Sequence, residues 1–343
     1  MNKQLQRWTR ISLYLIFLVI AAGATVRMTG SGMGCPDWPK CFGYYIPPTN
    51  AEQLSWKPKT DYKKGNVIID NDQLLVAKQD FFSNKTFNPE HWEVYTKHDY
   101  AVFNATHTWI EFINRLLGAL SGLAVLVMFF FSLKWIRKKP IVFIFSLLTM
   151  LGILFQAWLG KTVVDSNLLP LKISLHMLMA LLLVGFLLVV RVSSKSFGLT
   201  KYAPRKVRLL LYLAFGLTLA QIILGIQLRQ FVDTQVDRWG YALPQFWLAA
   251  PELNFYIHRS LSLLVVVVNV WLYILVVRNK LERIFIHRIL WLIIGEILLG
   301  ITMFYFAFPF GTQPLHLLLA TLLFGVQLYW ILRIHFNRYD LSL

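Results

Sequence analysis

Two histidines stand at the same distance from a glycine in this 343-residue chain, and imidazole nitrogens bind metals or move protons. His176 follows Gly160 by sixteen residues, and His316 follows Gly300 by the same interval. Both histidines open long apolar runs, LHMLMALLLVGFLLVV and LHLLLATLLFGVQLYW. A polar ring that starts an apolar segment twice in register predicts an internal repeat built around a ligand site.

The repeat also aligns the segments IEFINRLLGAL and NFYIHRSLSLL, which places Asn114 where the second half has His258. Two helices that present His258 and His316 toward each other suit a haem with two axial nitrogens, as in a b-type cytochrome. A bound metal ion, a proton relay and a structural histidine are the alternatives, and the sequence lacks the C-x-x-C-H of covalent haem attachment. In the first half, His176 has Asn114 for its partner, so either His107 supplies the missing nitrogen or it is a solvated residue at the membrane edge.

Charged residues recur around the same positions. Glu111 shares a helical face with His107 and Asn114, where it either moves protons beside a macrocycle or lies at the membrane interface. Glu296 aligns with Gln156 and is expected to pack between helices. Four arginines recur at one predicted level, where guanidinium groups suit haem propionates and snorkelling to the interface is the alternative. They are Arg27, Arg115, Arg229 and Arg259.

The elements that must position these residues are membrane helices. A hydrophobic content of 57% and a mean hydropathy of +0.54 exclude a soluble core. A spanning helix needs about 20 apolar residues. The predicted spans are 11–29, 109–133, 141–163, 172–190, 207–228, 255–277, 286–306 and 315–332. The first span continues into MTGSGMGCPDW without an A-x-A site, so it is not read as a cleaved signal peptide.

The net charge of +17 is distributed over alternate loops, which predicts cytoplasmic N- and C-termini and argues against a nucleic-acid partner. Four spans per half give both halves the same orientation, as in a parallel repeat. The predicted fold is an all-α polytopic membrane protein of two four-helix bundles. The first bundle covers residues 1–198, with a long extracytoplasmic loop at 30–106, and the second covers 199–343.

The only two cysteines in the sequence, Cys35 and Cys41, follow the first span on the predicted oxidising side, where a disulfide is the expected state. Two thiols without a nearby histidine pair are too few ligands for zinc. Their segment, TGSGMGCPDWPKCFG, closely resembles the post-helix motif of the haem A synthase family. HTWIEFINRLLGALSG resembles that family's second-helix motif, and HRSLSLL and PLHLLLAT resemble its later histidine helices, so the resemblance covers nearly the whole chain.

The resemblance implies a membrane enzyme that oxidises the C8 methyl group of haem O to a formyl group, giving haem A for cytochrome oxidase. Two successive hydroxylations and the loss of water from a geminal diol are the implied steps. The resemblance also implies a haem b held by His258 and His316 in the second half, which exchanges electrons with the substrate site. Delivery of haem O by a haem O synthase, the electron-transfer partner and a homo-oligomeric state are left open.

In the first half, the resemblance implies a site for haem O. The family's histidines map to Asn114 and His176, and its second-helix glutamate maps to Glu111 as a catalytic residue. Because Asn114 stands where many members have histidine, either His107 binds the iron or one face of the iron is open. The resemblance further implies that a disulfide between Cys35 and Cys41 helps to transfer haem O.

Two other classes stay open on the sequence alone. A di-haem b-type cytochrome that takes electrons from quinol would need the histidines, but it would not need the cysteine motif or Glu111. A transporter or assembly protein without a cofactor would show no Soret band. The N-terminal MNKQLQR lacks an Arg- and Ser-rich transit segment, which predicts a bacterial plasma membrane rather than a mitochondrial one.

Overall fold

The computed structural model describes residues 3–71, 73–96, 103–195 and 203–339. Residues 337–339 are described by their backbone alone. Over these ranges, eight helices are long and apolar enough to cross a membrane, which confirms the predicted all-α polytopic fold. The helices are α1 Lys3–Met28, α2 Ala105–Ser132, α3 Pro140–Asp165, α4 Pro170–Ser193, α5 Arg205–Trp239, α6 Leu253–Arg278, α7 Ile284–Tyr305 and α8 Thr312–Tyr339. Each predicted span falls on one of them. The orientation of the termini, the parallel repeat and the division at residue 198 stay predictions.

The helices form because long apolar sequences satisfy their backbone hydrogen bonds internally when they enter lipid. Many of their large apolar side chains point outward, such as Leu263 and Trp291, which are 67% and 73% exposed. Such faces suit contact with lipid. Pro140 and Pro170 stand at the first residues of α3 and α4, where the missing N–H would have no intrahelical partner.

The chain divides into two compact units. The larger unit comprises Met1–Ala21, Ser121–Leu154 and Met177–Leu343, and the smaller unit comprises Ala22–Leu120 and Phe155–His176.

Helices α5 to α8 build one apolar core within the larger unit. Helix α5 packs against α6 and α8, and α7 also packs against both, so α6 and α8 occupy diagonal positions. The core contains Leu211, Leu272, Ile286 and Ile289, all fully buried. A second core in this unit joins residues of α1 to α4, such as Leu5 and Leu187, with Phe324 of α8.

The segment between α1 and α2, in the smaller unit, contains short strands that the sequence signals only weakly. They are β1 Asp61–Tyr62, β2 Val67–Asp70, β3 Gln73–Ala77, β4 Phe81–Phe82 and β5 Trp92–Val94. Strand β1 pairs with β4, and the other three form an antiparallel sheet in the order β2-β3-β5. Tyr62, Phe81 and Trp92 pack together, with the Tyr62 and Trp92 rings 5.0 Å apart.

Short 3₁₀ turns complete the described elements. They are Ser31–Met33, Ala51–Leu54, Pro89–His91, Leu133–Trp135 and Pro244–Phe246.

Candidate functional site

The structure brings His258 and His316 together within the larger unit. His258 lies in the second turn of α6, and His316 lies at the corresponding end of α8. Their ring centroids are 6.4 Å apart, with the ring planes at 69°. Nδ1 of each ring is buried without a hydrogen bond. Two imidazoles therefore converge between the diagonal helices, and their role as ligands of a haem stays a prediction.

The 6.4 Å between the ring centroids can be compared with the distance expected when both imidazoles bind one metal ion. Two metal–nitrogen bonds of about 2 Å, with the ring radius added at each end, place the centroids about 6 Å apart. Among the residues that the structure describes, no group of three or more His, Cys, Asp or Glu side chains is placed to hold a metal ion. Two nitrogens alone suit an iron whose other ligands come from a macrocycle. The residues present therefore fit a haem better than a bare ion.

Polar side chains on neighbouring helices support both histidines. The Gln221 side chain on α5 donates to the backbone carbonyl of His258 at 3.0 Å. Oε2 of Glu296 on α7 lies 3.0 Å from Nδ1 of His316, close but not aligned as a hydrogen bond. A carboxylate at the far nitrogen of a metal-binding imidazole typically orients the ring and raises its basicity. Glu296, which the sequence assigned to packing between helices, thus contacts a candidate ligand.

His176, in the smaller unit, is supported in the same way. The Gln156 side chain on α3 donates to the backbone carbonyl of His176 at 3.0 Å. A Cβ added to Gly160, one turn further along α3, would lie 3.3 Å from Cε1 of the imidazole. His176 Nδ1 is buried without a hydrogen bond. The ring is therefore fixed at its backbone and closely approached by a glycine.

The same glutamine and glycine spacing occurs beside His258. A Cβ added to Gly225, one turn after Gln221, would lie 3.5 Å from Cε1 of His258. The shared pattern is a Gln or Glu followed four residues later by Gly, in QAWLG (156–160), QIILG (221–225) and EILLG (296–300). Residues four apart lie on one helix face, so Gln156 and Gly160 both meet His176, and Gln221 and Gly225 both meet His258. In the third segment Glu296 lies beside His316, whereas a Cβ added to Gly300 would meet no atom within 4 Å. This signal could have identified Gln156, Gln221 and Glu296 from the sequence.

Asn114 is half-buried on α2, but its amide oxygen is fully covered. Its Oδ1 has no hydrogen bond and would lie 3.7 Å from a Cβ added to Gly23 of α1. A buried amide oxygen without a partner is costly, which marks the position as one built to meet a polar group. His107 is half-buried in the first turn of α2.

Glu111 holds the cysteine-containing loop against α2. Cys35 and Cys41 form a disulfide, which confirms the expected pairing. The Cys35 backbone N–H donates to Oε2 of Glu111 at 2.8 Å, and Nε of Arg115 donates to Oε1 at 3.1 Å. Glu111 is 4% exposed. Both carboxylate oxygens are therefore engaged within the smaller unit.

Arg115 makes the second set of contacts to this loop. Its Nη1 donates to the backbone carbonyls of Asp37 at 2.7 Å and Lys40 at 2.9 Å. Gly34 lies so close to α2 that an added Cβ would be 2.5 Å from the backbone carbonyl of His107. Only glycine fits this approach. The disulfide loop is thus clamped to the first three turns of α2.

Asp37 closes the loop from within. Its carboxylate accepts hydrogen bonds from the backbone N–H groups of Phe42 at 2.6 Å and Gly43 at 2.8 Å. Burial raises the pKa of Asp37 above its usual range, and these two donors partly offset that rise. Tyr95 donates to the backbone carbonyl of Pro36 at 2.6 Å, and burial, with a smaller contribution from Asp37, raises the pKa of Tyr95 to about 12.

The four arginines are placed differently from one another. Arg115 contacts the loop and Glu111, and Arg229 pairs with Asp233 one turn along α5 at 2.5 Å. Arg27 lies in the last turn of α1, and Arg259 is exposed on α6. Propionate binding by these arginines stays a prediction.

Comparison with known proteins yields one family. The family model COX15-CtaA, described as a cytochrome oxidase assembly protein, matches residues 6–70 and 76–328. A protein named "Heme A synthase" from Shewanella oneidensis is 31% identical over 187 residues, which are 54% of this chain and 44% of that protein. Proteins of the same name are similar over far more of their length. The one from Bartonella tribocorum is 24% identical over 95% of this chain and 91% of its own, and the one from Wolbachia sp. subsp. Brugia malayi is 22% identical over 94% and 95%.

Proposed function

The chain belongs to the COX15-CtaA family of cytochrome oxidase assembly proteins, and from this membership we propose that it is a haem A synthase. It is a multi-pass protein of the bacterial plasma membrane. The proposed reaction oxidises the C8 methyl group of haem O to a formyl group. Each of two hydroxylations inserts one oxygen atom and needs an external oxidant that takes two electrons from the carbon. The resulting geminal diol loses water to leave the formyl group. Haem O is the substrate, and a resident haem b is the proposed cofactor.

The convergence of His258 and His316 is the observation that carries the cofactor proposal. The two imidazoles would hold the iron of haem b, and the bound haem would supply electron transfer. Gln221 fixes the backbone at His258, while Glu296, whose Oε2 lies 3.0 Å from Nδ1 of His316, would orient that ring when the haem is bound. Gly225 allows close approach to His258.

The smaller unit contains the residues proposed to receive haem O. His176 would supply one nitrogen to the iron, held in place by Gln156 and Gly160. Asn114 is a poor iron ligand, so the proposal leaves one face of the substrate iron open unless His107 supplies a nitrogen there. An open face favours chemistry on the bound substrate over permanent ligation.

Glu111 is proposed to move protons or position water during the oxidation. Its burial and its contacts to Cys35 and Arg115 support a second task, which is to hold the disulfide loop beside the substrate site. The loop would help haem O to enter and haem A to leave. Delivery by a haem O synthase and assembly as a homo-oligomer complete the proposal, and copurification tests both.

The decisive experiment extracts haems from cells that make haem O, with and without this chain. Haem A is expected only where the chain is present. An extract that contains haems B and O alone would overturn the proposal. A purified protein with a low-spin haem spectrum and no haem A product would instead support the electron-transferring cytochrome.

A further inference from the structure

Two buried side-chain amides lie about three helical turns beyond the paired histidines of the larger unit. Asn269 follows His258 by eleven residues on α6, and Gln327 follows His316 by eleven residues on α8. Eleven residues are close to three helical turns, so each amide shares a helix face with its histidine, about 16 Å further along the axis. Both amide side chains are fully buried, with 0% exposure.

The hydrogen bonding of these amides is incomplete. The Asn269 amide nitrogen donates to the backbone carbonyl of Val265 at 2.8 Å. Oδ1 of Asn269 and both Nε2 and Oε1 of Gln327 are buried without a hydrogen bond. Polar groups in the membrane interior are costly unless they are paired. These three buried polar atoms therefore require hydrogen-bond partners.

The helix arrangement places the two amides across the same axis. Helices α6 and α8 are diagonal, and their histidine rings converge to 6.4 Å. Because each amide lies on the face of its histidine, Asn269 and Gln327 are expected to face each other about 16 Å further along the two helices. Buried apolar side chains flank them by one turn: Val265 and Leu272 on α6, and Leu323 on α8.

The first half of the sequence has apolar residues at the matching positions. Val125 follows Asn114 by eleven residues, Leu187 follows His176 by eleven residues, and both are fully buried. Helix packing at this depth is therefore compatible with Val and Leu. Helix packing alone therefore does not explain why the second half has amide side chains at these positions.

We propose that Asn269 and Gln327 bind an ordered water molecule between α6 and α8, beneath the paired imidazoles. A buried water typically makes about three hydrogen bonds, and the pair offers three polar atoms. The water bridges helices that do not pack directly against each other and sets their spacing. This site rests on the geometry of α6 and α8 and does not depend on the proposed reaction.

A double-mutant cycle tests the bridge in the purified full-length chain. Asn269→Val and Gln327→Leu copy the residues that the first half already has. Each single variant is expected to lower the thermal unfolding midpoint, followed by tryptophan fluorescence, because it leaves the other amide without its bridge. The double variant is expected to recover part of that loss. Losses that simply add would overturn the proposal.

A control cycle pairs Asn269→Val with Leu5→Ala, which lies in the other core of the unit, and additive losses are expected there. A crystal structure that resolves ordered water distinguishes a water molecule between Asn269 and Gln327 from a direct hydrogen bond between the two side chains. Density between the two side chains supports the proposal and needs no variant to fold. Direct contact between the amides, or a dry gap, overturns it.

Discussion

The sites around His176 and His258 use the same support and differ in the residues that accompany it. In each, a glutamine on the preceding helix binds the histidine's backbone carbonyl, and a glycine one turn away approaches the ring. His258 then meets the second imidazole of His316, whereas the smaller unit has Asn114 and a clamped disulfide loop. A common support therefore holds the imidazole in both units, and under the proposed function the residues that accompany it decide whether a haem is retained or processed.

Removing one imidazole tests the comparison with the largest expected effect. His258→Ala and His316→Ala should each abolish the low-spin haem spectrum of the purified protein, since either change leaves one axial nitrogen. His176→Ala should retain that spectrum and lose haem A production. If the spectrum persists in both of the first two variants, the two sites do not differ as proposed.

Glu111→Ala should separate cofactor retention from catalysis. The haem b spectrum is expected to remain, because Glu111 lies in the smaller unit, while haem A falls to background in extracted haems. Glu111→Gln keeps the size of the side chain and tests whether the carboxylate itself is needed. Normal haem A in both variants would show that Glu111 has no catalytic part.

Glu296→Gln gives the larger unit the same residue type that the smaller unit has at Gln156. The haem should remain bound but about tenfold more weakly, because a neutral amide orients and polarises His316 less well than a carboxylate. The midpoint potential should become more positive, as measured by potentiometric titration. Gln156→Glu is the matched control and should leave the haem b potential unchanged. An unchanged potential in Glu296→Gln would remove Glu296 from the cofactor site.

The smallest expected effect concerns the disulfide loop, which has no counterpart at the His258 site. Because burial raises the folded pKa of Asp37 above the ordinary value of 3.8, the stability that it contributes is complete below pH 3.8 and is lost as the pH rises through the folded pKa. Hydrogen exchange at the Phe42 and Gly43 amides, corrected for intrinsic rates, should show the loop opening more readily over that rise. Asp37→Asn should remove this dependence.

Asp80→Asn is the control for that measurement. Asp80 is exposed, and the Lys64 backbone N–H, followed by the Lys63 side chain, lowers its pKa. Its contribution therefore has the opposite sign, being lost as the pH falls. Equal pH profiles for the wild type and Asp37→Asn would show that Asp37 does not govern the loop.

The large elements and the histidine pair were predictable because their signals are long or repeated. About 20 apolar residues identify a span, and equal glycine–histidine spacing places His316 at the start of a helix. The contact between Glu296 and His316 was not predicted, because spacing along a chain does not fix how far each helix is rotated. Arg115 likewise binds loop carbonyls whose positions depend on the folded backbone. Strands of two to five residues are too short for a reliable alternating pattern.

In the predicted repeat, the aligned positions at which the two halves differ have a consequence for how such a protein can change. Asn114 corresponds to His258, and Gln156 corresponds to Glu296. The codons for asparagine and histidine differ only at the first base, and so do those for glutamine and glutamate. Each of these two differences can therefore arise from a single nucleotide change. A duplicated gene could explore both assignments by point mutation without first losing the helices that hold the imidazoles.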